Sequence, residues 1–126
     1  MTEKTILEKL QLKPGRTMAI LNPPAGYPEK AGTIPSGAAV THDPVPSLII
    51  QVFITSQQQL EEQFERLAPL VARDGMLWIT YPKLTSKLKG EIHRDSINSY
   101  AQAHGWKGIA MIAVDENWSA LRLKRL

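Results

Sequence analysis

No cysteine occurs in the 126 residues of this chain. That absence excludes disulfides, thiolate-held metals and cysteine nucleophiles together, and it accords with a reducing, cytoplasmic setting. Histidine is scarce: His42, His93 and His104 are the three, and no HExxH pair or close His/Asp/Glu spacing joins them into a metal motif. Long apolar runs are also missing. Leu48 to Ile54 is interrupted by Gln51 and falls far short of the roughly 20 residues that cross a bilayer. Near the N-terminus, Glu3, Lys4, Glu8, Lys9 and Lys13 break up any apolar centre a signal peptide would need. Neither a G-x-S-x-G elbow nor a phosphate-binding P-loop is present. The sequence therefore predicts a cytoplasmic chain with no membrane segment and no metal.

What is present fits one folded domain spanning residues 1–126. Hydrophobic residues make up 43% and charged residues 21%, the balance of a globular chain rather than a disordered one. The formal net charge is +3, with the excess late in the chain at Lys83, Lys87, Lys89, Arg122, Lys124 and Arg125. A mild positive charge favours contact with anions without specifying one.

Apolar spacing and turn residues predict the order of elements. Ile6, Leu7 and Leu10 suggest a short helix over 3–11, stopped by Pro14-Gly15. Residues 16–22 read as a buried strand closed by Pro23-Pro24. The stretch 25–37 is rich in glycine and proline and suits a loop with a helical turn or two, and 38–41 suits a short strand. Residues 47–54 have the unbroken apolar pattern of a central strand. Ser56 and Gln59 form a capping-box signature ahead of Leu60, Phe64, Leu67 and Val71 on one helical face, with Pro69 expected to kink that helix. Asp74-Gly75 reads as a turn into a strand at 76–81, followed by a lysine-rich loop over 83–90. A helix over 92–104 with Gly105 as its stop, then strands at 109–114 and 118–123 around Asp115-Glu116-Asn117, complete the chain. Alternation of strands and helices predicts an α/β fold: a mainly parallel sheet of about six strands, order 2-1-3-4-6-5, with the last strand antiparallel and helices flanking it.

Leu12-Lys13-Pro14-Gly15 leading into the first strand, Leu67 to Pro82, and the closing hairpin with Trp118 together resemble the class I S-adenosylmethionine-dependent methyltransferases. Tyr81-Pro82-Lys83 and the segment Val114 to Ser119 are also similar to a family of short bacterial proteins of unknown function built on a shortened form of that scaffold. The resemblance implies a Rossmann-like sheet over residues 12–126. It also implies where a cofactor would be sought: an acidic residue and alternating glycines at the end of the first strand, where bare backbone approaches the ligand. Laid on that pattern, Ala19 stands at the acidic position and Leu21, Pro23 and Ala25 at the glycines, leaving Gly26 alone. Two prolines donate no amide hydrogens and add rings where space is wanted. Asp43 falls where a ribose-binding carboxylate would lie, though an aspartate before Pro44 is more commonly a turn former. No bound cofactor is therefore expected.

In open α/β sheets, ligands lie in the crevice at the carboxyl ends of the strands. Four loops should meet there, and they nominate Asn22, Gly26, Tyr27, Thr55, Ser56, Tyr81, Lys83 and Lys87 as ligand-binding residues, with the helix start at Ser56 offering amides to an anion. Against this, Lys83 to Lys89 reads more readily as a solvated, mobile loop. Trp78 and Trp118 read as core, whereas Trp106 is open to a stacking role. Three functions compete. The first is a binding or protein-interaction module that has lost the cofactor motif. The second is an enzyme using the crevice, with S-adenosylmethionine held atypically or another small anionic ligand. The third is a weak nucleic-acid binder using the basic residues. Oligomeric state is left open.

Overall fold

The computed structural model describes residues 4–85 and 92–126. Its elements run α1 (Ile6–Lys9), β1 (Thr17–Leu21), α2 (Tyr27–Ala31), β2 (Ala39–Thr41), β3 (Ser47–Phe53), α3 (Gln57–Leu67), β4 (Val71–Pro82), α4 (Arg94–Ala103), β5 (Trp106–Ala113) and β6 (Trp118–Arg125). The six strands form one sheet in the order β2-β1-β3-β4-β6-β5, as expected from the sequence. β1 pairs parallel with β2 and β3, and β3 parallel with β4, while β6 runs antiparallel to both β4 and β5.

Side chains alternate between the two faces of a strand, so a strand covered on both faces is apolar throughout. Residues 47–54 show this directly. Ile50 and Val52 join Leu60, Phe64, Leu67, Ile97 and Ala101 under α3 and α4. Ile49 and Phe53 join Ile6, Leu7, Leu10, Tyr27 and Trp78 under α1 and α2. Trp78 is fully buried and donates its indole N–H to the Leu10 carbonyl at 3.1 Å, which ties the N-terminal turn to the centre of the sheet.

Several boundaries differ from the sequence-based expectation. The first helix is a single turn capped at Thr5, whose hydroxyl accepts from Glu8 N–H while the Glu8 carboxylate accepts from Thr5 N–H. Gln11 then turns left-handed (φ 73°), and Leu12 N–H reaches back to the Leu7 carbonyl, ending it. Pro69 does not kink α3. The α-helix stops at Leu67, residues 68–70 make a 3-10 turn, and Val71 opens β4 rather than extending the helical stripe. Val71 N–H closes the 3-10 turn on the Ala68 carbonyl. The Arg125 guanidinium then donates to the carbonyls of Ala68, Val71 and Ala72 at 2.9, 2.6 and 2.9 Å, tying the end of β6 to this corner.

Asp74-Gly75 is likewise not a turn but an irregular stretch inside β4. Pairing passes from Ser47↔Val71 to Ile49↔Met76, so β4 accumulates extra residues against β3. Any side chain at Gly75 would strike the Leu48 carbonyl, so glycine lets the bulged chain pass. The fourth helix begins at Arg94, two residues later than expected, with Ile92 already buried ahead of it. β5 and β6 extend further than expected, taking in Trp106 and Arg125. No described helix is long and apolar enough to cross a membrane.

Candidate functional site

β1, β3 and β4 are neighbours, so the loops leaving Leu21, Phe53 and Pro82 share one rim of the sheet. The two halves of that rim are built differently.

On the α2 side the chain leaves β1 through Asn22 (φ 57°) and re-enters helix through Gly26 (φ 82°), both left-handed, with Pro23 and Pro24 between them. Tyr27 follows and turns inward. Its ring meets Phe53 edge-on at 4.7 Å, and Phe53 meets Trp118 at 5.0 Å. The Tyr27 hydroxyl donates to Gln51 Oε1 at 2.8 Å, and Gln51 Nε2 donates to Thr80 Oγ1 at 3.0 Å. All of these side chains are buried except where Trp118 approaches the surface. Burial pushes the Tyr27 phenol well above the ordinary tyrosine range, against the lowering effect of the Gln51 bond and with a further rise from Asp115. Outside this plug, Asp115 Oδ1 accepts from Asn117 and Trp118 N–H at 2.7 and 2.9 Å, which shapes the turn between β5 and β6. Its other oxygen lies 3.4 Å from Lys30 Nζ, fastening α2 to that hairpin.

Next along the rim, α3 begins by satisfying itself. Ser56 Oγ accepts from Gln59 N–H at 3.1 Å, while Gln59 Oε1 accepts from both the backbone N–H and the hydroxyl of Thr55, at 2.7 and 3.0 Å. The expected capping box is thus shifted back by one residue. Thr55, Ser56 and Gln59 spend their polar groups on the helix end. Further out, His42 Nδ1 is 3.1 Å from the Ile20 carbonyl, and Asp43 sits exposed in a local turn with Thr41.

The β4 side is open. A cleft of about 520 Å³ lies between the end of β4, the start of α4 and the β5–β6 pair. Tyr81, Lys83, His93, Arg94, Met111 and Ser119 line it. The Tyr81 hydroxyl donates to Met111 Sδ at 3.0 Å, and Lys83 N–H donates to the Asn117 carbonyl at 2.8 Å. Burial raises the Tyr81 phenol above its ordinary range, Arg94 opposes the rise and Asp95 adds to it. Arg94 Nε is 3.5 Å from Asp95 Oδ1, an exposed pair at the lip of the cleft. Lys83 and Arg94 bring two cations to one side of a partly apolar hollow.

Of the nominated residues, the cleft collects Tyr81 and Lys83. Asn22, Gly26, Tyr27, Thr55 and Ser56 do not line it, and Lys87 lies outside the described residues. Tyr27 is a core residue with its hydroxyl engaged. His93, Arg94, Met111 and Ser119 were missed as cleft residues. The expected helix over 92–104 enclosed His93 and Arg94, and the expected strands enclosed Met111 and Ser119, so no loop pattern marked them. Trp106, left open to stacking, is buried in the sheet with the Arg125 guanidinium 4.7 Å from its ring centre. Among the described residues, no group of three or more His, Asp or Glu is placed to hold a metal.

No family model and no curated protein matches the chain. Solved structures do. A SAM-dependent methyltransferase from Aquifex aeolicus superposes with a TM-score of 0.63 at 14% identity, over 94% of this chain and 86% of that one. The scaffold is methyltransferase-like. A ribosomal protein L11 methylase from Lactobacillus delbrueckii subsp. bulgaricus matches with a TM-score of 0.62 at 13% identity, over 94% and 74%. Magnesium protoporphyrin IX methyltransferase from Synechocystis PCC 6803, with bound SAH, matches at 0.58 and 11% identity, over 90% and 75%.

The residues of this methyltransferase-like chain do not fit the cofactor that such a scaffold suggests. Ala19, at the acidic position, is buried and uncharged, and Leu21 is buried in the core. Pro23 and Pro24 carry no N–H to offer a carboxylate or a ribose. Immediately beyond them Tyr27, Phe53 and Trp118 fill the α2 side of the rim with packed rings.

Proposed function

We propose that this chain is a non-catalytic binding module on a methyltransferase-like scaffold, whose ligand is a small anion held in the cleft at the end of β4. The observation that carries the reading is the Tyr27 plug. An aromatic side chain packed on Phe53 and hydrogen-bonded to Gln51 stands behind a diproline loop, where the resemblance implies open glycine backbone. Lys83 and Arg94 supply positive charge to the neighbouring cleft, with Asp95 paired to Arg94 at its lip.

Thermal melting with separate additions of S-adenosylmethionine, S-adenosylhomocysteine and inorganic pyrophosphate tests this reading. A ligand at about 100 times its Kd stabilises a fold by about 2.7 kcal/mol, enough to raise the Tm of a chain this size by several degrees. The two adenosyl compounds should leave Tm unchanged and pyrophosphate should raise it. A clear rise with S-adenosylmethionine would favour the second reading, an enzyme that holds the cofactor in an unusual way. The third reading, a weak nucleic-acid binder, predicts binding without sequence preference that falls steeply as salt is raised.

A further inference from the structure

The sheet has two edges, and they are protected unequally. β2 is three residues long and is followed closely by Pro44 and Pro46, which cannot extend a ladder. β5 is eight residues long, and no described residue pairs with its outer side. From Gly108 to Ala113 it carries neither a charge nor a proline, the two devices that usually blunt an exposed edge. Ile109 and Met111 stand 41% and 48% exposed along it. One bulge interrupts its pairing with β6 at Ile109, but Ala110 to Ala113 stay in regular register.

We infer that β5 is a self-association edge, on which a second copy of this chain pairs its own β5 antiparallel about a two-fold axis at Met111, joining two six-stranded sheets into one. Charge selects this partner and this direction. At the amino end of β5, Lys107 sits directly opposite Lys124 of β6, a like-charge pair that an added acidic group would relieve. Just past the carboxyl end lie Asp115 and Glu116, 3.4 and 3.6 Å from Lys30 Nζ, two carboxylates on one lysine, and the Glu116 side chain is 75% exposed and open to a further cation. Antiparallel pairing sets Lys107 and Lys124 of each copy beside the acidic hairpin of the other. Parallel pairing would set lysine against lysine and hairpin against hairpin. Isologous contact also closes on itself, so the exposed edge is used up instead of growing a fibre.

The mass of the intact chain in solution, measured by light scattering at tens of micromolar, decides the matter. A dimer of about 28 kDa is expected, twice the 14.0 kDa chain. Met111→Lys places two like charges on the axis and should shift the mass to that of the monomer, with the far-ultraviolet circular dichroism of a folded chain retained. Lys107→Glu should weaken the dimer at low salt, and combining it with Glu116→Lys should restore it, an outcome that general damage to the fold would not produce. The chain has no other thiol, so Met111→Cys supplies a clean probe. Residues facing each other across an antiparallel pair have Cα atoms about 4.5–5.5 Å apart, within disulfide reach, so mild oxidation should trap a covalent dimer. A monomeric wild type, a dimer that survives Met111→Lys, or a dimer in which Met111→Cys forms no disulfide would each overturn the inference.

Discussion

The two halves of the carboxyl rim show how one scaffold can close a site and leave another open a few strands away. On the α2 side the buried polar groups are paired, the Tyr27 hydroxyl with Gln51 and the Gln51 amide with Thr80, and just outside them the Asp115 carboxylate is held by Lys30 and two backbone amides. On the β4 side the phenol of Tyr81 donates to a thioether, and Lys83, His93 and Arg94 face the hollow. Satisfied buried groups rigidify a core, whereas charged side chains around a concave surface suit a ligand. The closed half serves stability, and the open half is where binding is sought.

The largest effect should come from removing the centre of the plug. Phe53→Ala deletes a ring that touches both Tyr27 and Trp118, and should cost about 3–5 kcal/mol by denaturant unfolding, as buried phenylalanine truncations do. If it costs less than about 1 kcal/mol, the plug is not the tightly packed element described. Tyr27→Phe is subtler. It preserves the ring and strips the donor from Gln51 Oε1, leaving a buried acceptor unsatisfied at a cost of about 1–3 kcal/mol.

Alkaline pH should separate the two halves further. Burial raises the Tyr27 and Tyr81 phenols, so the folded state holds these protons more tightly than the unfolded chain. Their stabilising contribution is complete below the ordinary tyrosine value of 10.0 and is lost as pH climbs above it. Unfolding free energy should therefore decline above that value. In a titration of phenolate absorbance Tyr27 should ionise last, and Tyr27→Phe should remove that final step. Flat stability across this range would contradict the buried phenol.

The smallest effect on stability belongs to the open half. Replacing Lys83 and Arg94 together with alanine should shift stability by no more than about 0.5 kcal/mol, since both lie at the lip of the cleft. The same change should abolish the pyrophosphate-induced rise in Tm. Retained binding would place the anion elsewhere.

Much of the fold was legible in the sequence because hydrophobic periodicity and turn chemistry are local signals. The apolar run Ser47–Phe53, the helix capped at Ser56 and the hairpin at Asp115 are all where those patterns put them. The strand order also matched, since short connections and right-handed crossovers leave few alternatives. Pro69 and Asp74-Gly75 misled for a common reason. The corner after α3 is fastened by Arg125, some fifty residues away, and the bulge at Gly75 depends on how close Leu48 lies in the next strand. Neither neighbour can be read from the local pattern. Half of the candidate site was hidden in the same way, because Arg94 and Ser119 belong to regular elements and meet Tyr81 and Lys83 only after the sheet has formed.

By itself, the sequence determined the α/β class and the six-strand order, since each depends on residue type and spacing along the chain. Only the tertiary structure decided which side of the rim is filled and which is open. Tyr27 sits in a loop pattern that could have faced solvent. Its ring turns inward because Phe53 offers an edge, Gln51 offers an acceptor and Lys30 holds α2 against the hairpin, contacts that join α2 to β3 and to the β5–β6 turn, far apart in the chain.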